Sequence, residues 1–456
     1  MNFNSPEFLL FFPVVLLLHW LLPHRYRWTL LLAASWLFYC WWEPRAGLLL
    51  GGTTVVSWLC ARQVSRTEGT GKKRLWLVLA LTVSLGCLGV FKYAGFFAGI
   101  NNLALPVSIL LPAGISFYTF QTLSYVIDVY RGRVQPEPHF GYYALFVSFF
   151  PQLVAGPIER PERLLPQLKS RRRWEKDRFF SGCGLLLAGY FKKVVMADGL
   201  AGFVDRVFGS PEAALGPEIV LATVLFGFQI YCDFSGYTDI ARGAARLLGI
   251  ELTENFDRPY TAVSIRDFWN RWHMSLTAWF TDYVYIPMGG SRKGLPRQMV
   301  NVMAVFLLSG LWHGADWTFV LWGGLHGLYR ICGILWRRWG KPGPAGKGWD
   351  WLRRIRTFLL VSAAWLPFRA ASLSETGMLL SRLGTGWGSL PGLLPELAGG
   401  VLLILCLPGL EQTPRIRGKE PAGMMLPVFY GLTLLMLGWM ILLSGSGENA
   451  FIYFQF

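Results

Sequence analysis

The sequence predicts an all-α, multi-span membrane protein, and two observations carry that prediction. Hydrophobic residues make up 53% of the 456-residue chain while charged residues make up only 15%, against about 25% charged in an average soluble domain. The apolar residues also fall into long runs, and the positive charge falls between those runs. A formal net charge of +16 in a soluble protein points to nucleic acid. Here the Lys and Arg residues cluster in the connecting segments, the pattern of cytoplasmic loops, and nucleic acid is excluded as a partner. The surrounding lipid is the partner this composition implies.

A helix needs about 20 mostly apolar residues to cross the hydrocarbon core. Runs that meet or approach this lie at 6–22, 28–42, 46–61, 75–98, 105–130, 181–198, 218–240, 298–315, 317–336, 357–371, 391–410 and 424–444. The first has no basic leader and no small-residue cleavage site after it, so it reads as a retained span. The run 140–157 contains Pro151, Gly156 and Pro157, and lost or distorted backbone donors make it a re-entrant or interfacial piece packed inside protein. Basic loops at 62–74, 160–178, 258–297, 337–356 and 415–419, placed inside, leave both termini outside after about twelve spans. The chain reads as one membrane-embedded domain over 1–456. Its polar stretch 241–297, dense in aromatic and basic residues, reads as amphipathic helices lying in the cytoplasmic interface.

Seven dispersed cysteines give neither a disulfide framework nor a metal-ligand spacing. Nucleophile elbow, phosphate loop and zinc-protease motifs are absent; KPGPAGKG at 341–348 ends in glycine and reads as a flexible basic loop. Ionisable residues inside spans are costly and mark function by default. His19 and His24 stand at the end of the first span and read as snorkelling groups. His139 sits in a proline-flanked loop. His313 lies in LSGLWHGADWTFVLWGGLHG at 308–327, beside Trp312 and among small residues that allow close helix approach. Asp316 follows three residues later and shares its face if the helix continues, where it fixes the imidazole tautomer. A histidine satisfied by a neighbouring helix is the equal alternative. His326, thirteen residues on, is too far along one helix to act with His313. His273 sits in the 241–297 stretch, either lining an inner mouth or bonding at the interface. Asp233, with Tyr237 and Asp239, forms a second polar cluster in an apolar run, although a six-residue spacing disfavours a carboxylate pair.

Five stretches together resemble the membrane-bound O-acyltransferase family, in its bacterial polysaccharide-acetylating branch. They are LPAGISFYTFQTLSYVIDVYRG at 111–132, FFPQLVAGPIERP at 149–161, QIYCDFSGYTDIARG at 229–243, DFWNRWHMSLTAWFTDYVYIPMGG at 267–290 and LWHGADWTFVLWGGLHG at 311–327. The resemblance implies a ring of helices around a transmembrane tunnel in the bacterial cell membrane. It implies acetyl transfer from a cytosolic thioester, acetyl-CoA or an acyl carrier protein, towards an extracytoplasmic polysaccharide, with no bound cofactor or metal and a partner acetyltransferase of the SGNH type outside. Peptidoglycan, cellulose or teichoic acid are alternative acceptors; a transporter or a synthase scaffold is the alternative of another class. The resemblance maps the family's near-invariant histidine onto His313 and its second histidine onto His273, with Trp312, Asp316 and Asp233 in support. Arg266, Arg271, Arg292 and Lys293 then suit a polyphosphate donor, or are ordinary cytoplasmic-side cations. The last six residues, FIYFQF at 451–456, resemble the aromatic tail of members that pass acyl groups outward, with Tyr453 as acyl carrier. An interfacial aromatic anchor is the competing reading.

Overall fold

The computed structural model describes residues 1–41, 43–100, 112–340, 346–412 and 451–452. The expected span 424–444, the start of the run 105–130, most of the basic loop 341–348, and Tyr453 lie outside them. Every regular element among the described residues is helical, as expected of a chain whose backbone polar groups face lipid. The chain divides into two compact units. The first comprises Met1–Tyr190, Gly236–Thr253 and Thr413–Ala450, and the second Phe191–Ser235, Glu254–Gln412 and Phe451–Phe456.

The first unit holds α1 (Pro6–Leu21), α2 (His24–Cys40), α3 (Pro44–Arg66), α4 (Thr70–Leu88), α5 (Ala94–Ile100), α6 (Ile115–Tyr130), α7 (Phe140–Ser148), α8 (Phe150–Leu153), α9 (Pro161–Lys169) and α10 (Lys176–Tyr190). Ser5 starts α1, its hydroxyl accepting the Phe8 N–H at 3.3 Å with proline in the first turn. His19, expected to snorkel, is instead buried and edge-on to Trp20, because its position extends the inward stripe of Phe8, Phe12 and Val15. The interrupted run 140–157 is indeed packed inside protein, with one break at Phe149, ahead of Pro151, and a second after Leu153 that takes in Gly156 and Pro157. At the first break the Ser35 hydroxyl accepts the Phe150 N–H at 3.1 Å, and Gln121 and Gln152 donate to the Phe146 carbonyl at 2.6 and 2.7 Å. Side chains thus take over the bonds a helix supplies.

The second unit holds α11 (Asp198–Phe208), most of α12 (Gly216–Leu247), α13 (Ile265–Trp269), α14 (Met274–Phe280), α15 (Leu295–His313), α16 (Trp317–Trp339), α17 (Lys347–Arg369), α18 (Leu373–Arg382) and α19 (Leu394–Gln412). Three stretches of helix are long and apolar enough to cross a membrane by length and composition: 70–98, 176–208 and 216–247. Shorter apolar helices span Pro6–Leu21 and Leu394–Leu405.

Within the stretch 241–297, Phe268, Trp269 and Trp272 join the core of the second unit with Phe226, Trp322 and Trp365, and Leu276 is buried as well. An aromatic periodicity that suits a membrane interface suits a protein interior equally well, and the neighbouring helices decide between them.

Candidate active site

His313 is the last residue of α15 and is buried. The helix stops there because Gly314 turns extended, φ −157° and ψ 150°, and a Cβ on it would stand 2.0 Å from the Phe319 ring. Asp316 therefore does not share a helical face with His313, as a continued helix requires. It caps α16 instead, its carboxylate accepting the Thr318 N–H at 2.8 Å. The chain folds straight back, and α15 and α16 approach to backbone contact at Gly310 and Gly323. This leaves the imidazole in an aromatic cage, with ring centroids of Trp312, Trp322 and Phe368 at 4.9, 5.0 and 5.5 Å.

His273 reaches the same neighbourhood from another element. Its backbone is left-handed, φ 43° and ψ 54°, at the start of α14, a conformation uncommon for any residue but glycine. Asn255 holds it there. The Asn255 carbonyl accepts the Met274 N–H at 2.9 Å, and its side-chain oxygen accepts the Ser275 N–H at 3.2 Å and hydroxyl at 2.9 Å. The same oxygen lies 3.1 Å from His273 Nδ1. Since it serves as acceptor, Nδ1 carries the hydrogen and Nε2 is the basic nitrogen. Burial pushes this imidazole down to about 3. The Trp312 ring stands at 5.9 Å from His273 and 4.9 Å from His313, so one indole contacts both.

His326 lies on α16, not on the helix of His313, and the fold-back brings it near. Its Nδ1 accepts the Trp269 N–H at 3.3 Å, and its ring packs at 5.0 Å on Trp322, the same indole that walls His313. Asp233 is buried in α12 and bonded to Lys193, not to a second carboxylate; Asp239 faces Arg242 at 3.5 Å. Of the four expected donor-binding cations, Arg266, Arg292 and Lys293 are exposed. Arg271 is engaged by Asp267 at 2.8 Å. Asn255, Lys193, Trp322 and Trp269 were not singled out from sequence, and only Lys193 carried a signal there, as a charge inside an apolar run.

This arrangement sets two buried imidazoles, His273 and His313, against a shared wall of aromatic rings. The profile of the membrane-bound O-acyltransferase family matches residues 135–348, which contain all of it except Phe368. The probable alginate O-acetylase AlgI of Azotobacter vinelandii is 40% identical over 386 residues, covering 82% of this chain and 76% of that protein. The chain belongs to the membrane-bound O-acyltransferase family. A probable alginate O-acetylase of Pseudomonas putida is 35% identical over the whole of both chains. The peptidoglycan O-acetyltransferase of Helicobacter pylori is 35% identical over 82% of this chain and 78% of that one. The protein is thus a multi-pass membrane O-acyltransferase, and the transporter and scaffold readings fall away.

Asn255 has a testable part in the site. Asn255→Leu keeps the branched shape and strands three buried donors, the Ser275 N–H and hydroxyl and His273 Nδ1–H. We expect acyl transfer to fall roughly ten- to hundred-fold as the His273 turn loosens, with the protein still inserted. Transfer at the wild-type rate, measured with a labelled acetyl thioester, counts against the clamp.

Proposed function

We propose that the enzyme takes an acetyl group from a cytosolic thioester and passes it outward for O-acetylation of an extracytoplasmic polysaccharide of the alginate type. The observation that carries this reading is His313, buried in its ring cage within a chain that alginate O-acetylases match over most of its length. An imidazole in its neutral form can remove a proton from a weak nucleophile. The donor thioester approaches the cytoplasmic face of the bacterial cell membrane, where exposed Arg266, Arg292 and Lys293 attract the phosphates of acetyl-CoA or the acidic surface of a carrier protein. Both termini lie outside.

In this reading Tyr453 is the acceptor within the chain. Its phenolic oxygen attacks the thioester carbonyl, His313 takes the phenolic proton, and the carbon–sulfur bond breaks. The imidazolium returns that proton to the departing thiolate. His273, with its Nδ1–H fixed by Asn255, orients the reacting groups through Nε2. The aryl ester then gives its acetyl group to a polymer hydroxyl outside, with an SGNH-type acetyltransferase as partner, and the phenol is regenerated.

Purified protein incubated with labelled acetyl-CoA is expected to release thiol and to carry label. Polymer from a deletion strain is expected to lose its O-acetyl groups by mass spectrometry. A chain that leaves the thioester intact overturns the donor; loss of acetyl from peptidoglycan alone moves the acceptor to the wall polymer that the Helicobacter pylori relative is named for. Tyr453→Phe retains the aromatic anchor and removes the nucleophile, so export is expected to fall at least tenfold. Full export from this variant ends the relay.

A further inference from the structure

Phe191–Ala197 forms a π-helical turn that leads into α11. Such turns widen the backbone locally and recur at functional positions. This one carries Lys193 into the interior, where the residue is buried. Its ammonium stands 2.7 Å from one oxygen of Asp233 and 2.8 Å from Asp198. Asp233 is buried too. Its second oxygen accepts the backbone N–H of Ile452 at 2.9 Å, across 219 residues of sequence. The Phe451 ring meets Phe234 at 5.9 Å, and Phe234 in turn meets the His273 ring at 4.7 Å. Phe451 and Ile452 are both buried.

Such a cluster is a poor device for stability alone. A buried ion pair is commonly matched or bettered by apolar side chains of the same volume, because desolvating two charges opposes their attraction. What the pair offers is direction. A carboxylate neutralised by one lysine still has an oxygen to present, and a charge-assisted bond to a backbone N–H is shorter and stronger than a neutral one. It fixes one main-chain atom of the tail whatever its side chains are. Residue 453 follows Ile452 by one Cα step of about 3.8 Å, so the seat sets the point from which that side chain extends.

We propose that the Lys193–Asp233 pair is a seat for the C-terminal tail, and that Asp233 is a positioning residue that presents Tyr453 to the His273–His313 site. The inference rests on Tyr453 being the acetyl carrier, as proposed above. Asp198 holds the lysine from the other side and keeps its charge in place. The seat acts on transfer to the tail and leaves cleavage of the thioester by water at His313 untouched.

The experiment compares four full-length variants purified in detergent: Asp233→Leu, Ile452→Pro, Ile452→Ala and Tyr453→Phe. Two rates are followed with labelled acetyl-CoA, thiol release with water as acceptor and acetylation of the C-terminal peptide by rapid quench and mass spectrometry. Ile452→Pro removes the N–H that Asp233 accepts and leaves the membrane helices alone, so it carries the test even where Asp233→Leu fails to insert. We expect Asp233→Leu and Ile452→Pro to lose at least tenfold in tail acetylation, with thiol release by Ile452→Pro within twofold of wild type. Ile452→Ala, which keeps the N–H, is expected to match wild type in both. Tail acetylation of Ile452→Pro within twofold of Ile452→Ala overturns the seat, as does a parallel fall of both rates. Full polymer acetylation in cells that carry Tyr453→Phe, read by mass spectrometry of the polymer, overturns the carrier instead, which separates the two failures.

Discussion

Replacing His313 with alanine is expected to reduce acetyl transfer by at least a hundredfold while the protein remains in the membrane. General-base catalysis contributes typically about 10²–10⁴-fold, and the three described rings of the cage cannot supply it. Trp312, Trp322 and Phe368 supply walls, and neither an indole nor a phenyl ring accepts a proton near neutral pH. The two effects of the substitution are separable. Removing the buried ring also opens a cavity, and large-to-small changes of this kind cost about 2–5 kcal/mol. His313→Gln fills more of that space and has no basic nitrogen. Both variants should be equally inactive, with His313→Gln the more heat-stable of the two. Labelled acetyl transfer and retention of folded protein after heating read the two effects. Transfer within tenfold of wild type in His313→Gln removes the catalytic assignment.

The contrast between His313 and its neighbours shows what the sequence could convey. Its importance was legible, since a histidine among tryptophans and glycines in an apolar run needs a reason, and the surrounding motifs supplied one. The partner assigned to it was not. Helical spacing placed Asp316 on the same face, and a single glycine at 314, extended because the Phe319 ring occupies the space of a Cβ, ended the helix first. That ring comes from the next helix, and no local pattern reports it. Asn255 was invisible for the same reason: its side chain is one polar group in a connecting segment until the fold wraps the His273 turn around its oxygen. Lys193 left a trace as a charge inside the apolar run 181–198, but no local pattern paired it with Asp233. The spans themselves were the most legible part, because lipid imposes length and apolarity on each run separately. The ring pattern of 241–297 was ambiguous, because burial among other helices, as at Phe268, Trp269 and Trp272, produces the same pattern as burial in lipid.

The second large effect is expected at the crossing of α15 and α16, on which the placement of His313 depends. Helices in lipid lack a hydrophobic drive to associate and gain instead from close backbone approach at small residues. Gly310 and Gly323 provide that approach. A Cβ at Gly310 would stand 2.2 Å from the Phe319 carbonyl oxygen, and one at Gly323 would stand 2.3 Å from that of Phe306. Both obstacles are backbone atoms, so no rotamer change relieves them; the helices must separate. Overpacking costs about 1–3 kcal/mol and occasionally more, and separation also strips α16 from the bend that ends α15. Gly310→Val and Gly323→Val are therefore each expected to lower the yield of folded protein sharply and to abolish transfer. The double variant should be less than additive, because the first substitution already opens the shared crossing. Gly333→Ala, on the same helix with nothing within 4 Å of its Cβ position, should be neutral or more stable by about 0.5–1 kcal/mol through helix propensity. Size-exclusion profiles after graded heating distinguish the cases. Wild-type melting of Gly310→Val would show that the crossing yields without cost, and the location of His313 would then need another support.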